Sequence, residues 1–116
     1  MLRGDVYLAT LDPTEGAEQA GTRPVVIVSR NALNRHSPVV VIVPFTDRRH
    51  KRQLFPSQVE VKAGEGRLRK DSVALCEQIR AISKMRLKSH WGQLSPGKMS
   101  EIDAALLIAL DLPERI

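Results

Sequence analysis

Short runs of β-branched and apolar residues, each closed by glycine, proline or aspartate, recur along most of the chain, and this pattern predicts strands. Asp5–Leu11 has strand composition and stops at Asp12-Pro13-Thr14. A turn-rich stretch, 15–23, leads into Pro24–Val28, a β-branched run suited to a strand buried on both faces. Proline is allowed at the first position of that strand, where a missing N–H matters least. Ser29 is a candidate cap for a short helical or irregular connection over Arg30–His36. Val39–Thr46 is the most apolar strand, and Pro44 near its end is expected to stop ladder pairing and bend the chain outward, leaving Phe45 and Thr46 at a strand mouth. Gln58–Lys62 alternates as a half-exposed strand does. Gly64-Glu65-Gly66 reads as a turn, Asp71 opens a long strand through Ile82, Ser83 caps one helical turn over Lys84–Leu87, and His90–Leu94 forms a last short strand.

The period changes in the tail. Ser95 is a good N-cap, Pro96 suits the first helical position, and Ile102, Ala105, Leu106, Ala109 and Leu110 fall on one apolar stripe before Pro113 ends the helix. About six strands with short helices and a C-terminal amphipathic helix predict a mainly β fold, a small, strongly curved sheet or barrel. The chain shows no internal repeat, linker or low-complexity segment, so residues 1–116 are read as a single domain.

Composition narrows this further. With 116 residues and 42% hydrophobic content, the chain can bury a core without staples, and a single cysteine, Cys76, excludes an internal disulfide framework and a multi-cysteine zinc site. The longest apolar run, Val39–Phe45, is far short of the ~20 residues a membrane span needs. Residues 1–5 run into a polar-interrupted segment without a signal-like apolar region, so the expectation is a cytoplasmic protein that does not engage a membrane.

The charge is unevenly placed. The segments 1–46 and 71–116 are each neutral, so the whole net +5 lies in residues 47–70, which carry Arg48, Arg49, Lys51, Arg52, Lys62, Arg67, Arg69 and Lys70 against Asp47, Glu60 and Glu65. Such a cluster is the footprint of a polyanion partner, nucleic acid being the commonest, or else a solvated loop that maintains solubility. Four aromatic residues, Tyr7, Phe45, Phe55 and Trp91, are too few for a broad base-stacking platform, which points to contact mainly through phosphates.

Several chemistries are poorly represented. His36, His50 and His90 lie far apart without a ligand spacing, and no phosphate-binding glycine loop with its lysine is present; neither a metal nor a cofactor is expected. Cys76 reads as a small core residue. Two segments are unusual: Gly16-x-Glu18-Gln19-x-Gly21-x-Arg23-Pro24 sets polar groups and glycines just before a buried strand, and Glu77-Gln78-x-Arg80 interrupts a strand-like run. Loop solvation and a half-exposed strand face account for them structurally; a binding or catalytic site accounts for them functionally.

Those two segments, with the strand ending in Thr46, Ser83-Lys84-Met85-Arg86-Leu87 after the second of them, and the helix Met99–Leu112, together resemble the MazF/PemK/Kid toxin family over nearly the whole chain and in the same order. The resemblance implies an SH3-like β-barrel with added helices. It also implies the toxin of a bacterial type II toxin–antitoxin pair: a homodimeric, metal-independent endoribonuclease that cuts single-stranded mRNA at short motifs. A small antitoxin with a disordered C-terminal end would occupy the RNA groove, and DNA would be bound only through the toxin–antitoxin complex. Two alternatives are a gyrase-directed toxin of the same fold and a non-catalytic nucleic-acid-binding SH3-like domain.

In such a nuclease the RNA's own 2′-hydroxyl attacks phosphorus, leaving a 2′,3′-cyclic phosphate and a 5′-hydroxyl. The geometry this demands is foreign to A-form duplex, so a splayed single strand is the natural substrate. By resemblance, Arg23 and Thr46 are the catalytic pair, supplying a guanidinium fork and a hydroxyl to the phosphate. Glu77 is implied as the base, although the arginine found two residues before the acid in such relatives is Leu75 here. Glu18, Gln19, Gln78 and Arg80 are expected to position RNA, and Arg48, Arg49, Lys51 and Arg52 to hold phosphates. Phe55 is a candidate for stacking one base or for anchoring its loop.

Overall fold

A computed structural model describes residues 1–113; the last three residues of the expected domain lie outside that range. Seven antiparallel strands, one more than the sequence suggests, form a single strongly bent sheet: β1 (Asp5–Thr10), β2 (Thr22–Ile27), β3 (Val39–Asp47), β4 (Gln58–Val61), β5 (Ser72–Leu75), β6 (Arg80–Ser83) and β7 (Leu87–Gln93). Their order is β4-β5-β3-β2-β1-β7, with β6 also paired to β3. The sheet is roughly barrel-like without closing. Two helices complete the fold, α1 (Asn31–His36) between β2 and β3 and α2 (Pro96–Leu110) at the C-terminal end.

The extra strand arises where one long strand was expected. The three-residue 3₁₀ turn Cys76–Gln78 divides the segment into β5 and β6. The register records the insertion: Ala74 faces Phe45 and Ile82 faces Val40, eight residues on one side against five on the other. Within the turn Cys76 stays fully buried while Glu77 is exposed. Burial pushes the Cys76 thiol up to about 12, in keeping with an unreactive core residue.

Pro44 acts differently from the expectation that it ends the ladder. It is the last β3 residue in register with β2, opposite Val25, and from Phe45 onward β3 pairs with β5 as far as Asp47. A residue without an N–H cannot continue a two-sided ladder: pairing with β2 ends there, and on the other edge β3 passes from β6, over Val39–Ile42, to β5. In β2, Pro24 sits third and not first, paired with Leu8. Ser29 does not cap α1: the N-cap is Arg30, and the Ser29 hydroxyl bonds the Asn34 side-chain oxygen while accepting from the Val41 N–H.

Alternation in the two central strands divides the core. Val26, Val43 and Phe45 join Val6, Val59, Val61, Leu94 and Ile102 beneath α2, whereas Val25, Ile27, Val40 and Ile42 join Ala9, Leu11 and Ile82 on the other face. β2 and β3 are thus buried on both sides, as their β-branched runs predict. Helix α2 is capped by Ser95, whose hydroxyl accepts from the Lys98 N–H, and ends with Asp111 in a left-handed conformation. Met99, Ile102 and Ala105 are buried, but the stripe leaves the core beyond Leu106: Ile108, Leu110 and Leu112 are exposed. No helix among the described residues is long and apolar enough to cross a membrane.

Two glycines let β7 close against the turn Glu65–Arg67. Gly66 has φ +58°, and a Cβ there would lie 2.7 Å from Val6 Cγ2 and 2.8 Å from Leu94 Cδ2; a Cβ on Gly92 would lie 2.8 Å from the Gly66 carbonyl oxygen. Gly66→Ala is therefore expected to destabilise the fold by about 1–3 kcal/mol through overpacking, seen as a lower urea midpoint. Gly97→Ala, in helical backbone with open space around it, should be neutral or slightly stabilising.

Candidate active site

The position of Arg23 and Thr46 follows from strand periodicity. Arg23 shares a face of β2 with Val25 and Ile27, and Thr46 shares a face of β3 with Val40 and Ile42; all four apolar residues belong to the same core cluster. The two strands pair as far as Val25 opposite Pro44, and just past that point the Arg23 guanidinium reaches the Phe45 carbonyl, next to Thr46. Arg23 and Thr46 both emerge at the end of the sheet in one open cleft of about 380 Å³. That size suits a segment of a ligand, not the whole of a long one.

Arg23 is held on two sides. Its Nε donates to the Ala20 carbonyl at 2.8 Å and its Nη1 to the Phe45 carbonyl at 3.1 Å, the peptide group immediately before Thr46. Burial lowers its pKa, partly offset by Asp12. Thr46 is only 6% exposed, so what it offers the cleft is small and directional. The remaining walls carry Arg49, His50, Arg69 and Lys70, and among the described residues Asp47 is the one acid lining it. Arg49 donates to Asp47 at 2.9 Å and Lys70 lies 3.8 Å from the same carboxylate. Arg49 first, and Lys70 with it, hold the Asp47 carboxyl well below the usual carboxylate range.

The basic stretch is thus rearranged relative to a simple phosphate-holding loop. Arg48 pairs with Glu60 at 3.2 Å, and Arg49 is shared with Asp47. Arg52 is exposed and Lys51 half-buried on the same loop, and neither lines the cleft. Pairing of Asp47 with Ser72, and the bond from the Arg48 N–H to the Asp71 carbonyl, brings the far end of the stretch back alongside its start. Arg69 and Lys70 enter the cleft by that route. Sequence reasoning counted their charge but missed their place, and it missed His50 and Trp91 altogether. The local signal was the charge count alone; a 24-residue excursion returning on itself leaves no local pattern.

The other expected residues gather in a second recess beyond Pro44, lined by Glu18, Gln19, Glu77, Gln78 and Arg80. Gln78 accepts from the Gln19 N–H at 2.7 Å and donates to the Ala17 carbonyl, so it clamps the 12–21 loop. Arg80 donates to the Leu11 carbonyl at the stem of that loop, and Glu18 closes a turn by accepting from the Glu15 N–H. Glu77 accepts from Ser57 at 3.2 Å and from Gln58 at 2.8 Å. It is not brought into the cleft with Arg23 and Thr46, and the Arg23 shift owes nothing to it. Phe55 is 60% exposed and lies in neither recess. Among the described residues no group of three His, Cys, Asp or Glu side chains is placed to hold a metal ion.

A family model described as the PemK-like, MazF-like toxin of type II toxin–antitoxin systems matches residues 2–110. An endoribonuclease from a mycobacterial species, solved in complex with its cognate antitoxin, superposes with a TM-score of 0.80 at 31% identity over 99% of both chains. The Mycobacterium tuberculosis toxin MazF-mt6 superposes at 0.79 with 25% identity, over 95% of this chain and 99% of its own. MazF from Deinococcus radiodurans shares the fold, with a TM-score of 0.81 at 21% identity over 96% of each chain.

The Gln78 clamp has a direct consequence for the loop before Arg23. Gln78→Ala should release the Gln19 amide, raising its hydrogen exchange by about 5- to 100-fold, while exchange in β2 and β3 is unchanged.

Proposed function

Since the chain belongs to the PemK-like, MazF-like toxin family, as an endoribonuclease toxin of a type II toxin–antitoxin system, we propose that it cuts single-stranded RNA without a metal, in the cleft between Arg23 and Thr46. The observation that carries this reading is the shared cleft: a guanidinium and a hydroxyl from neighbouring strand ends face one opening whose other walls include Arg49, Arg69 and Lys70.

In the proposed step the 2′-oxygen attacks the adjacent phosphorus. The 2′-O–P bond forms, the P–O5′ bond breaks, and the products carry a 2′,3′-cyclic phosphate and a 5′-hydroxyl. Negative charge builds on the phosphoryl oxygens, where the Arg23 fork and the Thr46 hydroxyl donate. Arg23 is already oriented through the Ala20 and Phe45 carbonyls, so little reorganisation accompanies reaction. Its partial burial makes it a better acid than an exposed arginine, and the proposal assigns it the proton taken up by O5′. Glu77 is engaged by Ser57 and Gln58 outside the cleft, so the 2′-hydroxyl proton is assigned to solvent.

The strand would enter from the recess beyond Pro44, past Glu18, Gln19 and Arg80, and meet the cations of the cleft. The partners that go with this reading are a second copy of the chain, for which the exposed Ile108, Leu110 and Leu112 supply apolar surface, and an antitoxin segment covering the cleft. DNA would be contacted only through the antitoxin complex.

Arg23→Ala and Thr46→Ala should each lower kcat by about 10²–10³ on an unstructured RNA, with discrete cyclic-phosphate ends from the unaltered protein in EDTA. Loss of cutting in EDTA, or retention in both variants, overturns the reading; trapped gyrase–DNA with intact RNA would mark a topoisomerase poison instead. Glu77→Gln should change kcat by less than about tenfold and leave the acid limb of the pH–rate profile in place. A loss of 10² or more, with that limb gone, would make Glu77 the base.

A further inference from the structure

The proposed chemistry uses the cationic side of the cleft and leaves one wall unused. Trp91, on β7, lines the cleft and packs partly against the core beneath α2. The Arg69 guanidinium carbon lies over its ring, 4.5 Å from the centroid. Arg69 is exposed and its guanidinium rests on the half-buried Trp91, whereas Arg48 and Arg49 are paired with Glu60 and Asp47.

The backbone around the pair is closely packed. Gly92 follows Trp91 and abuts the Gly66 carbonyl, and the turn containing Gly66 leads through the buried Leu68 to Arg69. The indole and the guanidinium are therefore carried by two segments in direct contact, in the cleft that Thr46 and Arg23 also line.

We propose that Trp91 and Arg69 form a base-stacking subsite, taking one unpaired base of the strand whose phosphate lies between Arg23 and Thr46. The inference rests on the ribonuclease reading above. Unstacked RNA bases are held on aromatic rings and on arginine planes, and here the two are layered with the exposed Arg69 outermost, so a base that reaches the pair can stack on the guanidinium that Trp91 backs. One such site needs no run of aromatic residues. It orders a single nucleotide next to the bond that breaks, which is what an in-line attack requires. Trp91 and Arg69 are positioning residues in this scheme, acting on the substrate's base and not on the reacting atoms.

Trp91 is the chain's only tryptophan, so its fluorescence reports on the subsite alone. The test titrates the full chain with an unstructured 2′-O-methyl oligoribonucleotide carrying a terminal dye, reading tryptophan emission and dye anisotropy together, and follows cleavage of the matching RNA. Saturable quenching should track binding. Trp91→Ala should weaken binding and raise KM by about 5- to 100-fold, with a much smaller change in kcat, and Trp91→Phe should restore most of the loss. The slope of log affinity against log salt should be the same in Trp91→Ala as in the unaltered chain, because no phosphate contact is removed. Arg69→Lys should lose affinity nearly as Arg69→Gln does, since it keeps the charge but not the plane. Unchanged emission on binding, or Arg69→Lys and Trp91→Ala both binding within twofold of the unaltered chain, overturns the subsite while leaving the nuclease intact. RNA that is neither bound nor cut overturns both.

Discussion

The site depends on the antiparallel register of β2 and β3. The pairing runs as far as Val25 opposite Pro44, and two residues further along each strand lie Arg23 and Thr46, which line one cleft. A slip of one residue would turn Thr46 toward the α2 side of the sheet and its buried neighbours toward the cleft, because side-chain direction alternates at every position. The register resists slipping because both faces of both strands are buried: Val25, Ile27, Val40 and Ile42 on one side, Val26, Val43 and Phe45 on the other. A core packed on two sides therefore defines the chemistry at its edge.

Pro44 extends this logic. Before it β3 pairs with β2 on one edge and β6 on the other, and after it with β5. The return of β5 next to Asp47 carries the far end of the basic stretch to the cleft, and the Asp47 carboxylate gathers Arg49 and Lys70 around itself. One acid thus draws in part of the local positive charge, while Arg23 bonds to carbonyls and, among the described residues, to no carboxylate. A polyanion meets two kinds of cation here: those already paired, which contribute mainly field, and those free to pair with it.

The polar motifs before β2 and after β5 divide in a way their residue types do not reveal. Arg23 faces the cleft, whereas Gln78, Arg80 and Glu18 spend hydrogen bonds on the loop that leads to it. Clamping that loop is itself useful to the site, since the Ala20 carbonyl within it orients the Arg23 guanidinium. Glu77 belongs to the same supporting arrangement, tied to Ser57 and Gln58 across the start of β4.

Local order in the chain was enough to establish the strands on either side of the site, the capped terminal helix and the uneven charge, because periodicity, capping and β-branched runs act over a few residues. The motifs around Arg23, Thr46 and Glu77 were visible for the same reason, and their resemblance to one toxin family led to the right fold. The break between β5 and β6, the partner change at Pro44, and the arrival of Arg69, Lys70 and Trp91 at the cleft were not visible. Each depends on which distant segment lies alongside, and pairing between segments far apart in the chain is decided by the packing of the whole sheet. Glu77 shows the same divide: its type and neighbours mark it as a candidate base, and only the folded arrangement reveals that Ser57 and Gln58 already hold it.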